Sequence, residues 1–154
     1  MNEIVLGPLT AGHVGELLTL QRAAYVTEAQ LYDDTRLPAL TQTLDELTAE
    51  LRASSCTAAW LGPRLVGAVR TRAVDGVLHV GRLVVAPDLQ GRGLGSRLLA
   101  AAEEASSCTT ATLFTGHRST ANLRLYARLG YRETHREPLT ATVILVHLTK
   151  RLGL

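Results

Sequence analysis

Between residues 77 and 105 the chain changes from one hydrophobic period to another. Residues 77–85 form an apolar run broken only by His79, Gly81 and Arg82, and read as a strand closed by Ala86-Pro87-Asp88. Residues 95–106 carry Leu98, Leu99 and Ala102 on one helical face. The same two periods place the other elements. Residues 4–6 are a short strand ended by Gly7-Pro8, and Thr10 opens a helix over 12–30 with Leu17, Leu20, Ala24 and Leu31 at helical spacing. Residues 32–38 are polar and read as a loop. Thr43 and Glu46 have the spacing of a capping box that starts a second helix, running to about Leu51. Residues 57–61 and 64–74 flank Gly62-Pro63 as a hairpin, and Asp75-Gly76 is the two-residue turn into the strand at 77–85. A strand at 110–115, a helix at 120–129 and strands near 131–138 and 141–149 complete the chain. Ser119 or Thr120 is the expected N-cap of that helix, and Gly130 its C-terminal stop. The pattern predicts a single domain, 1–154, of mixed α/β (α+β) class.

The junction at residues 90–95 carries the chemistry. Gln90-Gly91-Arg92-Gly93-Leu94-Gly95 lies between a strand and a helix, and Ser96 follows in the first helical turn. The N–H groups of that turn have no partner within the helix, and the helix dipole adds partial positive charge there. Glycines let the backbone approach a diphosphate that Cβ atoms would hold off. The spacing fits neither a dinucleotide fingerprint nor a P-loop, which require G-x-G-x-x-G and G-x-x-x-x-G-K-[ST].

Gln90-x-x-Gly93-x-Gly95 resembles the Q-x-x-G-x-G motif of the GNAT-type N-acetyltransferases, which bind acetyl-coenzyme A. Residues 115–131 resemble that family's second signature, with Asn122, Tyr126 and Leu129-Gly130-Tyr131 in place. Asn122 and Tyr126 are four apart and share a helical face. The order of elements also agrees with the family across most of the chain. The resemblance implies a GNAT fold: a central, mostly antiparallel seven-stranded sheet, splayed between its fourth and fifth strands and flanked by four helices. It implies acetyl-coenzyme A as donor, held by Gln90, Gly91, Arg92, Gly93, Leu94, Gly95, Ser96 and Asn122, with the pantetheine arm beside Leu83, Val84 and Val85. Tyr126 takes the position of the family's general acid for the coenzyme A thiolate. His79, eleven residues before Gln90, occupies the position where several members carry a base, and neutral imidazole suits an ammonium proton. His117 is the second candidate for that role.

The acceptor side falls, by the same resemblance, on the first two helices, their loop and the hairpin formed by the last two strands. Tyr25, Glu28 and Tyr32 recur at helical spacing there, with Asp33 and Asp34 following. A tyrosine–carboxylate set attracts an ammonium group by charge and by cation–π contact. The expected acceptor is a primary amine of a small molecule. A peptide or protein N-terminus is the alternative within the enzyme class, and a non-catalytic acyl-coenzyme A-binding regulatory module is the alternative outside it.

Composition narrows the remaining classes. At 46% hydrophobic and 19% charged, the 154 residues suit a packed domain. No apolar run approaches the roughly 18 residues of a membrane span, and the N-terminal stretch lacks the basic and long apolar regions of a signal peptide, so a cytoplasmic setting without a membrane is expected. A net charge of +2 with no basic stripe gives no footprint for nucleic acid. Cys56 and Cys108 are isolated thiols, so no acetyl-cysteine intermediate is expected. The five histidines show no ligand spacing, and no metal is expected. The sequence leaves homodimerisation open.

Overall fold

The computed structural model describes residues 3–153. Seven strands form one sheet in the order β1-β2-β3-β4-β5-β7-β6. They are β1 (Ile4–Pro8), β2 (Ser55–Leu61), β3 (Arg64–Val74), β4 (Val77–Val85), β5 (Thr110–Gly116), β6 (Arg132–Pro138) and β7 (Ile144–Arg151). All neighbouring pairs are antiparallel except β4 with β5. That parallel pairing runs only from Val77–Thr110 to His79–Thr112. Beyond His79 the two strands part, which gives the expected splay. The opening leaves backbone and side chains of both strands free to line a cleft.

Six α-helices flank the sheet within residues 3–153: α1 (Val14–Ala24), α2 (Val26–Tyr32), α3 (Pro38–Thr41), α4 (Leu44–Arg52), α5 (Leu94–Glu104) and α6 (Thr120–Arg128). The four expected helices are all present, with two differences. The first is broken at Tyr25 (φ −86°, ψ 0°) into α1 and α2. No glycine or proline forces that break, so packing decides it. The expected loop at 32–38 contains a left-handed Asp33 (φ 47°) and leads into a further single turn, α3, opened by Pro38 at its first position.

Local signals account for several boundaries. The capping box is formed, with the Thr43 hydroxyl accepting from the Glu46 N–H and the Glu46 carboxylate accepting from the Thr43 N–H. The α6 C-terminus closes with Tyr131 N–H donating to the Tyr126 carbonyl and Gly130 N–H to that of Ala127, Gly130 taking φ 96°. This double bond pattern is the Schellman motif, and it satisfies carbonyls the helix leaves open.

The core lies on both faces of β3. Residues 65–70 of this strand are continuously buried. Gly67 faces α5: a Cβ there would meet Leu98 at 2.9 Å and the Val84 carbonyl at 3.2 Å. Arg70, of opposite parity, faces α1 and α4 through Gln21 and Glu50. Leu94, Leu98, Leu99 and Ala102 of α5, and Leu17, Leu18 and Leu20 of α1, are the buried helical contributions. Each of these leucines removed from water stabilises the fold by roughly 1.5–3 kcal/mol before entropy is subtracted. Strand β6 is exposed throughout and carries Arg132, Glu133, Arg136 and Glu137, charges that discourage pairing of this sheet edge with other chains. No helix is long and apolar enough to cross a membrane.

A smaller cluster of Tyr32, Leu37 and Val143 ties α2 to the β6–β7 connection. Tyr32 is buried, and its hydroxyl lies where a Cβ on Gly116 would be, 2.0 Å away. Gly116→Ala is therefore expected to displace the ring and destabilise the protein by about 1–3 kcal/mol, the usual cost of overpacking. A denaturation midpoint equal to that of the unsubstituted protein would show that Tyr32 is not seated against Gly116.

Candidate active site

Two clefts open where β4 and β5 separate. The first, of about 500 Å³, is bounded by the C-terminal half of β4, the N-terminus of α5 and one side of α6. Leu83, Val84, Val85, Gln90, Gly91, Gly93, Leu94, Gly95, Ser96 and Asn122 all line it. Arg92 does not; its side chain is exposed. Gly91 and Gly93 have φ of 79° and 82°, a region L side chains rarely adopt, and a Cβ on either would meet no protein atom within 4 Å. The space in front of them is open. Gly93 caps α5 with no side-chain hydrogen bond, which leaves the first-turn N–H groups for an anion. Gln90 donates to the Val85 carbonyl at 3.2 Å and so braces the turn against the end of β4. These features fit a diphosphate, and Arg128 adds positive charge at the rim.

The second cleft, of about 380 Å³, lies on the other side of the opening. Its walls come from α2, α3, the splayed parts of β4 and β5, and the β6–β7 connection. Tyr25, Glu28, Tyr32 and Tyr126 line it. Tyr25, Glu28, Leu83 and Asn122 line both clefts, so the two spaces meet at these four residues.

Glu28 is fixed at the junction by hydrogen bonds. Ser119 Oγ donates to its Oε2 at 2.5 Å, and Asn122 Nδ2 to its Oε1 at 3.5 Å. An ionised carboxylate only accepts, so the Tyr32 hydroxyl must donate to Ser119 Oγ, 2.7 Å away, while it accepts from the Arg118 N–H at 3.0 Å. A chain of donors thus runs from the backbone through Tyr32 and Ser119 to Glu28. Ser119, an expected helix cap, sits at the N-cap but makes no capping bond; its hydroxyl is turned to Glu28. Tyr32 contributes its ring to the cleft wall, with its hydroxyl committed to this chain.

Tyr126 is buried within the second cleft and packs edge-on to Tyr131. Burial, followed by the charges of Tyr25 and Glu28, pushes its phenol well above the ordinary tyrosine range, so it stays protonated near neutral pH. Tyr25 lies beneath the Arg82 guanidinium, 5.9 Å from ring centroid to Cζ. Arg82 has φ 51° and sits where β4 bulges against β3, between the pairs Ala68–Val84 and Arg70–Gly81. The bulge re-aims β4 at the mouth of the opening.

The two histidine candidates are placed elsewhere. His79 is the last β4 residue paired with β5, is exposed, and lines neither cleft but a shallow depression beside the second. His117 accepts the Ile144 N–H on its ring Nδ1 at 3.0 Å, and its backbone N–H donates to the Ile144 carbonyl at 2.8 Å, which joins β5 to β7. Asp34 accepts from Arg36 N–H and from Thr142, and so ties the α2–α3 turn to the last hairpin.

A sequence profile described as an acetyltransferase (GNAT) domain matches residues 28–152. The chain belongs to the GNAT acetyltransferase family. Solved structures of low identity share the fold of this GNAT chain. The Escherichia coli ribosomal-protein-S18-alanine N-acetyltransferase matches with a TM-score of 0.80 and 15% identity, over 99% of this chain and 96% of that one. The PaiA N-acetyltransferase of Thermoplasma acidophilum, in complex with coenzyme A, matches at 0.76 and 15%, over 97% and 99%. Arabidopsis thaliana NAA60, in complex with a bisubstrate analogue, matches at 0.77 and 16%, over 98% and 99%. Comparison with curated proteins gives no significant sequence match.

Several residues of the GNAT chain enter the site with no sequence signal. Glu50, from the last turn of α4, and Leu139 and Val143, from the last hairpin, reach the second cleft through tertiary packing. Pairing of β6 with β7 also brings His135, Glu137 and His147 together, with possible ligand atoms within 4.8 Å of one another, although their spacing gives no metal pattern. The two imidazoles are stacked, 4.3 Å apart and 6° from parallel, and His147 Nε2 is 2.6 Å from Glu137. Ring lone pairs in parallel planes do not converge on one ion, so the group reads as two stacked rings, one of them hydrogen-bonded to Glu137.

Proposed function

We propose that the chain is an acetyl-coenzyme A-dependent N-acetyltransferase that moves the acetyl group directly to a primary amine. The observation that carries this reading is the meeting of the two clefts at Tyr25, Glu28, Leu83 and Asn122. One cleft presents a glycine turn and a helix N-terminus, as a diphosphate requires; the other presents a carboxylate and phenols, as an amine requires. A thioester carbonyl and an attacking nitrogen are brought together only if each ligand reaches the shared wall.

Glu28 takes the ammonium proton, directly or through water, and so frees the lone pair that attacks the thioester carbon. As the C–N bond forms and the C–S bond breaks, the Tyr126 hydroxyl donates a hydrogen bond to the departing sulfur, and the second proton shed by the nitrogen passes, through water or through Tyr126, to the thiolate, which leaves as the free thiol. His79 lies outside both clefts, and Glu28 replaces it as our candidate base. The acceptor cleft is walled by α3 and the last hairpin and has a volume of about 380 Å³, which favours a small molecule.

Neither cysteine lines either cleft. Burial pushes the Cys56 thiol up to about 11, so it stays protonated and poorly nucleophilic near neutral pH. Turnover is expected to survive Cys56→Ser and Cys108→Ser together, and an acetyl-enzyme isolated by rapid quench would contradict direct transfer. The proposal as a whole is tested by incubating the protein with acetyl-coenzyme A and a panel of small amines and short peptides, reading thiol release and product mass. Acetylated small amines support it. Acetylation of peptides alone assigns a protein N-terminus as acceptor, and coenzyme A binding without any transfer assigns a regulatory module.

A further inference from the structure

The shallow depression beside the acceptor cleft has an unusual charge. Arg70, Arg72, Arg82 and His79 line it, against a single carboxylate, Glu50. It is continuous with the acceptor cleft, because Glu50, Val80, Gly81, Arg82 and Phe114 line both. Glu50 is already engaged, by Gln42 Nε2 and by Arg70 Nη2 at 3.6 Å. Arg72 and Arg82 have no carboxylate partner among the described residues. Arg70 is only 4% exposed, donates through Nη2 to Gln21 at 3.2 Å, and keeps a buried Nε without a hydrogen-bond partner. That Nε is shut away from solvent, so Arg70 acts on the depression through its charge, and Arg72 and Arg82 are the guanidinium groups accessible to a ligand.

We propose that this depression is an anion subsite of the acceptor cleft, and that the acceptor is a primary amine bearing a carboxylate or phosphate away from the reacting nitrogen. Glu28 and Tyr25 then hold the ammonium end, while Arg82 and Arg72 hold the anionic end. Guanidinium groups suit both anions, since their paired N–H donors match two oxygens of either. Placement of opposite charges at the two ends fixes the direction in which the acceptor enters, so that the nitrogen and not the anion faces the shared wall. Simple amines would bind in either sense, and their nitrogen would reach the thioester less often. This inference rests on the acceptor cleft being the amine site.

The test uses matched probes at equal ionic strength with acetyl-coenzyme A: butylamine against γ-aminobutyrate and aminopropyl phosphate, and benzylamine against aminomethylbenzoate. The anionic member of a set is expected to show about tenfold higher kcat/KM, the effect of one charge-assisted contact, and the larger gain tells carboxylate from phosphate. The ratio of anionic to neutral rates is expected to fall towards one in Arg82→Gln and in Arg72→Gln, and because it is taken within one variant it does not depend on basal activity. Neutral probes used as well as anionic ones, or a preference that survives both substitutions, would overturn the subsite. A binding arm separates the subsite from the enzyme reading: butyrate and inorganic phosphate are titrated calorimetrically into the coenzyme A-saturated protein. Anion binding that Arg82→Gln weakens, with no probe acetylated, supports the subsite and counts against the acetyltransferase proposal. Absence of both binding and transfer overturns the subsite.

Discussion

Glu28→Gln is expected to lower kcat/KM for the acceptor amine by about 10²–10⁴, the range for losing a general base, with acetyl-coenzyme A affinity unchanged. Glutamine keeps the length of the side chain but cannot take a proton, and it replaces one of the two oxygens that accept from Ser119 and Asn122. The donor chain through Tyr32 and Ser119 then ends on a neutral amide, and the ammonium loses its partner as well as its base. His79→Ala is the matching control, since that side chain touches neither cleft. Its effect on kcat/KM is expected to stay below about tenfold, the scale of one lost polar contact. A Glu28→Gln enzyme of ordinary rate beside a His79→Ala enzyme of little activity would exchange the two roles.

Gly93→Val is expected to weaken acetyl-coenzyme A binding by at least about a hundredfold, equivalent to roughly 2.7 kcal/mol. The residue has φ 82°, and its Cβ would project into space empty of protein atoms. The added Cβ itself meets no protein atom within 4 Å, and the left-handed strain costs the fold at least about 1–2 kcal/mol, which the folding check monitors. The branched side chain would instead occupy the approach to the α5 N-terminus. Gln90→Ala removes only the brace to Val85 and is expected to weaken binding less. Calorimetric titration of acetyl-coenzyme A, with circular dichroism as a check on folding, measures both. An unchanged dissociation constant in folded Gly93→Val would place the ligand elsewhere.

What the sequence revealed and what it hid divide along the range of the interactions. Thr43 with Glu46, Asp75-Gly76, Gly130 and the glycine turn are each set by neighbours within a few residues, and each forms as expected. The opening between β4 and β5 follows from the order of elements known for the family. The break at Tyr25, by contrast, carries no local signal, and it is what lets Tyr25 and Glu28 sit on the wall common to both clefts. Ser119 reads as a cap by position, but a carboxylate 91 residues away in sequence claims its hydroxyl. His79 has the spacing of a base, yet it belongs to the paired part of β4, below the point where the strands part. Three residues further on, the bulge around Arg82 changes which β4 side chains reach the opening. Spacing from a motif fixes a residue's position along a strand, whereas a bulge fixes the direction in which the strand presents it.

The central claim is that a donor held at the glycine turn and an amine held at Glu28 meet across one shared wall. Single-turnover kinetics test it most directly: the protein is saturated with acetyl-coenzyme A labelled in the acetyl group, mixed rapidly with an amine identified from the panel, and quenched for product mass and free thiol. The account predicts that acetylated amine and free thiol appear together at one rate, that no labelled protein accumulates, and that Glu28→Gln slows this step while binding the donor normally. Label retained on the protein, or thiol released ahead of product, would contradict it.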